Sequence, residues 1–455
     1  MEQISLRNFR CFREKQTARL APLTLLVGEN STGKTSFMAM IRGIWDVAYG
    51  QGVPDFKEEP YDLGSFDEIA HYRGGRGGRA DTFEVGFKVT PNANGNGRAV
   101  GANSQPYHFD AVFGKKGAVP NPVKIRLSDE DVWCELRLED QSWHGLYGTS
   151  NGGQRSFDAF PHLYEGDFNP MFLFDYSSTR RQMTEVREAG IQSDVFQRSS
   201  PPDDRARKHF DQLIETHRRV SRNYAGQRPY AIAPLRSRPR RTYDPARGLP
   251  DSEGDYLPMY LASLYFRDRR NWTRLKNSLE SVGQAAGLFD EISIKPLGRR
   301  ESEPFQVQVR KYSGRLKGPK RNLIDAGYGV SQVLPVITEM LRPDAPPMFL
   351  LQQPEVHLHP SAQAALGSIF CQVAAPDRQL IIEMHSDHLL DRVRMDVRDG
   401  KTTLKPEDVS ILYFERGNLN VYIHSIGLDE LGNVLGAPPS YGSFFMEETR
   451  RSLGV

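Results

Sequence analysis

The feature that most constrains the fold of this chain is an apolar run followed at once by a glycine-rich loop. Residues 23–27 are almost wholly apolar, as is typical of a central strand in a parallel sheet. Directly behind them, residues 28–36 (Gly-Glu-Asn-Ser-Thr-Gly-Lys-Thr-Ser) fit the pattern G-x-x-x-x-G-K-[ST] at every position. Residues 36–49 then have the apolar spacing of a helix. A strand, a glycine loop and a helix in this order predict a phosphate-binding loop in an α/β fold.

This loop is predicted to hold the phosphates of ATP. Gly28 and Gly33 let the backbone wrap around an anion without a Cβ clash, and the helix N-terminus supplies partial positive charge. Lys34 is expected to reach the β- and γ-phosphates, and the Thr35 hydroxyl is expected to ligate Mg²⁺. The predicted ATP-binding residues of the loop are Gly28, Glu29, Asn30, Ser31, Thr32, Gly33, Lys34, Thr35 and Ser36.

A second part of the site is predicted downstream, where residues 348–351, 361–373 and 379–382 read as strand, helix and strand. Phosphoryl-transfer sites usually carry a Mg²⁺-binding carboxylate and a water-polarising group at such a strand end. Gln352 and Gln353 stand here instead, and an amide is no general base and a weaker metal ligand. Either Glu355 or Glu383 compensates, or turnover is slow and the nucleotide is mainly a structural ligand.

His385 follows the second of these strands, where a histidine can bond the γ-phosphate or simply cap the next helix. His357 and His359 form an H-x-H pair that could bind a metal, but no third ligand has suitable spacing. The predicted catalytic residues are Lys34, Gln353, Glu355 and His385, with Thr35 and Gln352 as Mg²⁺ ligands.

A second glycine-rich loop, residues 325–335, leads into an apolar helix over 333–341. Its glycines and the Ser331 hydroxyl are typical of a helix N-terminus that receives an anion. Gly329, Ser331 and Gln332 are therefore predicted to contact nucleotide, in trans on that of a partner chain. A plain helix start is the alternative.

Composition excludes several classes of protein. The 455 residues carry a net charge of +2, so any nucleic-acid contact must come from a local patch. The apolar runs are too short for a membrane span, the N-terminus lacks the apolar segment of a signal peptide, and three cysteines give no paired framework. We expect a cytoplasmic protein without a membrane partner.

The middle of the chain is predicted to contain antiparallel strands over 82–89, 107–113, 123–127 and 132–138. A Gly- and Arg-rich stretch, residues 74–106, is either a nucleic-acid contact or a mobile hairpin tip. Residues 205–223 and 256–286 are predicted to be helices, the second amphipathic.

A basic segment follows the first of these helices. From residue 205 to residue 241 there are 11 Lys and Arg residues against two acids, a balance of +9. Such a cluster supports phosphate contacts with DNA or another polyanion. The alternative is a solvated helix face and a loop that pairs with acids or with the phosphates of ATP. The candidate nucleic-acid residues are Arg236, Arg238, Arg240 and Arg241.

Taken together, these motifs resemble the ABC-type ATPases of the RecF, SMC and OLD group. The start of the chain (I-x-L-x-N-F-R-x-F at residues 4–12), the signature-like loop 325–335, the segment 354–360 after Walker B and the switch-histidine motif 383–386 carry the resemblance. Met384 stands where Thr is usual. The chain looks closest to the bacterial single-chain AAA-type branch, which carries a short C-terminal domain of unknown function. The tail of that branch looks similar to the end of this chain, from residues 409–415 through residues 442–445.

The resemblance implies ATP at residues 28–36, with Ser331 and Gln332 acting across a head-to-head homodimer or higher homo-oligomer. It further implies a sensor or scaffold in bacterial antiphage defence, with a separately encoded nuclease or toxin as effector. Residues 62–67 lie where a glutamine loop is expected and offer no clear glutamine. Relatives of the OLD type append a Toprim nuclease, but no acidic triad of that kind follows Ser386.

The predicted fold class is α/β: an ABC-type P-loop NTPase head with a mixed sheet, interrupted by an antiparallel-strand and helical insertion. The predicted segments are 1–175 and 301–455 as the two lobes and 176–300 as the insertion. The predicted function is an ATP-binding, ATP-hydrolysing dimer. The alternatives are a non-hydrolysing nucleotide-gated clamp and a DNA repair or chromosome ATPase.

Overall fold

A computed structural model describes residues 1–49, 54–91, 105–139, 142–150, 154–158, 204–224, 227–245 and 251–442. Much of the predicted glycine–arginine tip (92–104) and most of the tail motif (443–445) lie outside these residues. The chain forms two compact units. The first comprises Met1–Leu20, Asn30–Arg228 and Glu415–Ile423, and the second comprises Ala21–Glu29, Pro229–Phe414 and His424–Val455.

The strands within this part of the chain are β1 (Gln3–Arg7), β2 (Gln16–Arg19), β3 (Leu23–Gly28), β4 (Thr82–Val89), β5 (Tyr107–Lys116), β6 (Val119–Ser128), β7 (Val132–Glu139), β8 (Ser142–Thr149), β9 (Gln154–Asp158), β10 (Tyr230–Ile232), β11 (Glu291–Pro296), β12 (Phe305–Arg310), β13 (Tyr312–Ser313), β14 (Leu316–Lys317), β15 (Arg321–Asn322), β16 (Met348–Gln352), β17 (Gln379–Glu383), β18 (Val409–Gly417), β19 (Asn420–Leu428) and β20 (Val434–Leu435). The helices are α1 (Lys34–Ala48), α2 (Phe66–Ile69), α3 (Asp204–Tyr224), α4 (Leu257–Arg267), α5 (Arg269–Ala285), α6 (Tyr328–Leu341), α7 (Pro360–Val373) and α8 (Asp387–Arg398).

The first unit is organised around an eight-stranded antiparallel sheet in the order β2-β1-β4-β5-β6-β7-β8-β9. Its strands alternate buried and half-exposed residues, as expected when one face covers a core. Phenylalanines dominate that core: Phe83 and Phe113 stack with ring centroids 4.9 Å apart. Helix α3, which falls within the predicted insertion 176–300, lies in this unit, where its buried His217 lies 3.3 Å from the Tyr107 hydroxyl.

The second unit contains most of a seven-stranded sheet, whose strand order is β10-β16-β17-β3-β18-β19-β20. Residues 415–423 of this sheet, from β18 and β19, are assigned to the first unit. The first five strands run parallel. Strand β3 is buried along its whole length, and so is β16, because both faces of a parallel sheet are covered. This confirms the predicted α/β fold, in which the glycine-rich loop follows a central parallel strand.

The predicted β-α-β unit is confirmed: β16, α7 and β17 follow one another, and β17 pairs in parallel with both β16 and β3. The four antiparallel strands of the middle are confirmed as β4 to β7. Among the helices described here, none is long and apolar enough to cross a bilayer.

The single helix predicted over residues 256–286 is wrong. The chain forms α4 and α5, which meet at Asp268, where φ is −137°. The Asp268 carboxylate accepts the N–H of Asn271 at 3.0 Å, so it caps α5 and breaks the longer helix that the apolar spacing suggests. Helix α6 also begins five residues before the predicted start at residue 333.

Glu339, in the middle of α6, is an acid inside the core of the second unit. It is 1 % exposed, and burial raises its pKa from the ordinary 4.5 to about 7. The Arg342 guanidinium lies 3.0 Å from one carboxylate oxygen and opposes this shift, while Asp344 and Asp251 reinforce it. The folded chain therefore retains a proton that the unfolded chain releases at lower pH.

We predict that Glu339→Gln stabilises the protein at high pH. The raised pKa means that the stability of the natural protein falls as pH rises from 4.5 to about 7. The variant avoids this loss, so it is expected to be more stable by roughly 3 kcal/mol at about pH 8 and nearly equal in stability at about pH 4. Urea unfolding at both pH values measures the difference. Exposed Glu430→Gln is the control, and a pH-independent effect of Glu339→Gln would contradict the prediction.

Candidate nucleotide-binding site

The loop after β3 is shaped by two glycines that no other residue can replace without strain. Gly28 has φ +139°, and a Cβ there would lie 2.6 Å from the carbonyl oxygen of Phe414. Gly33, the residue before α1, has φ +85°, and a Cβ there would collide with the Cys11 sulfur. Such backbone cradles at a helix N-terminus bind phosphate through amides and the helix dipole.

The rest of the loop is fixed by contacts in the first unit. Ser31 has φ +61°, and its carbonyl accepts a bond from Arg416 Nη2 at 2.6 Å. The Ser36 hydroxyl accepts from Arg10 Nη1 at 3.4 Å. Arg10 also donates to the Leu63 carbonyl at 2.9 Å and so ties the loop to residues 62–67, the segment with no clear glutamine.

The predicted loop residues differ in exposure. Lys34 is buried at 3 %, Ser36 is buried, and Thr32 is fully buried, whereas Glu29, Asn30, Ser31 and Thr35 are exposed. Gly33 at the N-terminus of α1 fits a phosphate group. For Mg²⁺, the predicted donors Thr35 and Gln352 are neutral oxygens, which fit a hard cation less well than carboxylates.

In the second unit, parallel pairing brings several strand ends to one edge of the sheet. Gln352 at the end of β16 pairs with Glu383 of β17, and Glu383 pairs with Leu26, two residues before Gly28. Ligands of open α/β sheets bind beyond the carboxyl ends of the strands. The residues after β10, β16 and β17 therefore belong to the same candidate site as the start of the loop.

Gln352 and Gln353 both lie at this edge. Gln352 is buried at 3 %. Gln353 has φ +42°, a left-handed conformation that is rare outside glycine, and its N–H donates to the Glu383 carbonyl at 2.8 Å. Neither amide can take a proton from water, so an acid elsewhere must act if ATP is hydrolysed.

Glu355 is the acid that the structure places most deeply here. It is 4 % exposed, and its Oε1 accepts the backbone N–H of His385 at 2.6 Å. Its Oε2 accepts no hydrogen bond from the part of the chain described. Burial raises the pKa of Glu355, whereas the bond from His385 and the charge of Arg236 lower it. The His385 side chain itself is exposed.

Arg236 lies in a different environment from the exposed basic cluster that the sequence predicts. It was grouped with a basic nucleic-acid cluster, but it is 3 % exposed and lies after β10 at the carboxyl edge. Its Nη2 donates to the Gln352 carbonyl at 3.2 Å, and its N–H donates to Gln332 Oε1 at 3.2 Å. The sequence signal for this buried position is that Arg236 stands four residues after a short apolar strand.

The other three arginines of this cluster are exposed. Arg240 donates to both carboxylate oxygens of Asp255, and Arg241 forms a two-pronged ion pair with Asp325 that lowers the pKa of that carboxyl. The alternative interpretation, a loop that pairs with acids, thus describes Arg240 and Arg241, and Arg236 is too deeply buried to touch a DNA backbone in this conformation.

The second glycine loop leads into the first turn of α6. A Cβ on Gly329 would lie 2.9 Å from the His357 carbonyl, so glycine permits a close approach of the two segments. The Ser331 hydroxyl is buried and donates to the Tyr328 carbonyl at 2.8 Å, so in this conformation it bonds within its own helix. Gln332 is fully buried and bonded to the Arg236 backbone.

The H-x-H pair is not part of a metal cluster within the residues that the structure describes. The His359 ring caps α7, since its Nδ1 lies 3.3 Å from the Ser361 N–H and 2.9 Å from its hydroxyl. His357 is exposed and lies edge-on to Tyr328, with ring centroids 4.7 Å apart.

Comparison with known families gives two matches. Residues 1–68 match the family described as an AAA ATPase domain, and residues 196–391 match the family described as an AAA domain, putative AbiEii toxin, Type IV TA system. Each of the two models matches less than half of the chain. The two matches support a nucleotide-binding ATPase domain.

Solved structures that are similar to this chain include SMC head domains. One, an SmcHead bound to the C-winged helix domain of ScpA, is 10 % identical with a TM-score of 0.45, covering 94 % of this chain and 98 % of its own. The SMC head domain from Thermotoga maritima is 11 % identical with a TM-score of 0.35, covering 93 % and 98 %. No curated protein matches the sequence.

We predict that Gly33→Ala weakens ATP binding and destabilises the ATPase more than Gly74→Ala does. Gly74 has a similar φ of +89° but open space around a Cβ, so both variants carry the left-handed penalty of about 1–2 kcal/mol. Only Gly33→Ala adds the collision with Cys11. Urea unfolding and titration with a fluorescent ATP analogue measure the two effects. Equal behaviour of the two variants would show that the cradle is not sterically fixed.

Proposed function

We propose that the chain is an ABC-type ATPase that binds and hydrolyses ATP and closes into a head-to-head homodimer around the nucleotide. The observation that carries the proposal is the strained loop at Gly28 and Gly33, on the central parallel strand, with the acid Glu355 at the same sheet edge as Gly28. The resemblance to the RecF, SMC and OLD group and the two ATPase family matches support it.

The roles proposed for the residues follow from their chemistry. Lys34 would stabilise the phosphates. Thr35 and Gln352 would hold a Mg²⁺ ion, which would supply charge neutralisation when bound. Glu355 is the general base in place of Gln353, because it is the buried acid with an unoccupied acceptor oxygen at this edge. His385 responds to the γ-phosphate, since its backbone is bonded to that base.

Lys34→Ala is expected to abolish ATP binding and turnover while leaving the fold intact. The Lys34 ammonium is the proposed counter-charge for the phosphates, and its loss leaves the cradle without it. Equilibrium binding of ATP and release of phosphate by purified protein measure the two effects. Exposed Lys401→Ala is the control, and tight ATP binding by Lys34→Ala would overturn the site assignment.

Glu355→Gln is expected to keep ATP binding and to reduce turnover by about a hundredfold or more, as for loss of a general base. The amide oxygen still accepts the His385 N–H, so the variant is matched in shape. Because burial raises the pKa of Glu355, turnover of the natural protein should fall on acidification already above the ordinary glutamate range. Unchanged turnover in Glu355→Gln would transfer the base role to another group, with Glu383→Gln as the next test.

The pair Gln352 and Gln353 motivates a second candidate function, a nucleotide-gated clamp with negligible turnover. In that case ATP alone closes the dimer and holds it closed. Steady phosphate release that Lys34→Ala abolishes rules the clamp out, whereas ATP-dependent dimerisation without phosphate release favours it. Light scattering with and without ATP measures the dimer in either case.

The biological role we propose is a sensor or scaffold in bacterial antiphage defence, with a co-encoded nuclease or toxin as effector. The family description of residues 196–391 as a putative toxin of a type IV toxin–antitoxin system is consistent with such a role. Phage plating on cells that carry the gene with its neighbours, against the Lys34→Ala variant, tests it. If protection does not need Lys34, or if the Lys34→Ala cells are instead sensitive to DNA damage, the result favours the DNA repair or chromosome ATPase.

A further inference from the structure

We propose that Arg236 is a phosphate-binding residue that recognises the terminal phosphate of ATP at the carboxyl edge of the sheet. This inference rests on the proposed function and extends it to a residue outside the predicted loops. It differs from the role of a nucleic-acid contact that the basic sequence around Arg236 suggests.

The position of Arg236 is the first argument. Strand β10 pairs in parallel with β16, so the segment after β10 emerges at the edge where Gln352 and Glu383 end. Arg236 contacts both halves of the candidate site in the second unit. Its side chain donates to the carbonyl of Gln352 at the end of β16, and its backbone is bonded twice to Gln332 in the first turn of α6.

The unfilled donors of Arg236 are the second argument. A guanidinium has five N–H groups in a planar fork. The Arg236 side chain is 3 % exposed, yet its Nε and Nη1 find no acceptor in the residues the structure describes. Leaving such donors buried is costly, and a phosphate offers the acceptor geometry that an arginine fork matches best.

The charges around Arg236 are the third argument. Burial lowers its pKa to about 10, so the side chain remains a cation at neutral pH. Glu355 and Tyr328 face it, and no ion pair joins Arg236 to an acid of the described ranges. A fixed positive charge at this edge without an ion-paired partner attracts an anion, while Glu355 keeps Oε2 open beside it.

The alternative role is purely structural: Arg236 would only balance the charge of Glu355. The two roles differ in what they predict for nucleotides. A terminal-phosphate ligand distinguishes a triphosphate from a diphosphate, whereas a structural counter-charge affects both alike. A comparison of ADP with a non-hydrolysable ATP analogue therefore separates them.

The experiment measures binding of AMP-PNP and of ADP to the full chain by isothermal titration calorimetry, using the natural protein, Arg236→Gln, Arg236→Lys and the exposed control Arg238→Gln. We expect Arg236→Gln to weaken AMP-PNP binding by about tenfold or more, as for a lost charge-assisted hydrogen bond, with ADP binding within about twofold. Arg236→Lys keeps the charge but loses the fork, so its loss should be smaller and again confined to AMP-PNP. Arg238→Gln should bind both as the natural protein does.

Equal weakening of both nucleotides, or no weakening of either, overturns the inference. If Arg236→Gln does not fold, as its thermal unfolding without nucleotide will show, Arg236→Lys decides on the same criterion. If the natural protein binds neither nucleotide, the proposed function fails. If the natural protein binds both nucleotides, and the Arg236 variants keep the same ratio of AMP-PNP affinity to ADP affinity, only the proposed role of Arg236 fails.

Discussion

The parallel pairing of β16, β17 and β3 is the constraint on which the candidate site depends. Parallel strands must all end at one edge, so Gln352, Glu383 and Gly28 reach the same edge although they are far apart in sequence. The buried strands supply a rigid base, because their apolar side chains are packed on both faces. Gln353, which is left-handed directly after β16, is held in place by that rigidity.

Local chemistry explains why the loop and the β-α-β unit could be predicted from sequence. The glycine pattern, the apolar run and the helical period each depend only on residues that are neighbours in the sequence. The structure accordingly has β3 and α1 at nearly the predicted bounds. The break at Asp268 could not be predicted from apolar spacing, since the spacing continues through it. There, one hydrogen bond from the Asn271 N–H to the Asp268 side chain starts a new helix. The free energy of one such cap is enough to favour a break over a continuous helix.

The environment of Arg236 could not be predicted for a different reason. In sequence it is one of four arginines within six residues, and charge density alone treats them alike. In the fold, Arg240 and Arg241 pair with acids from other segments, and Arg236 turns inward to the end of β16. Tertiary pairing, which a local count of charges does not contain, separates a surface cation from a buried one.

The close approach of Gly329 to His357 has a mechanical consequence. The first turn of α6 rests on the backbone of the segment after β16 with no space for even a methyl group. That segment also carries Glu355, whose carboxylate accepts a bond from the backbone after β17. The glycine-rich turn is therefore packed against the same short segment that carries this carboxylate. A residue larger than glycine at position 329 would force the two segments apart.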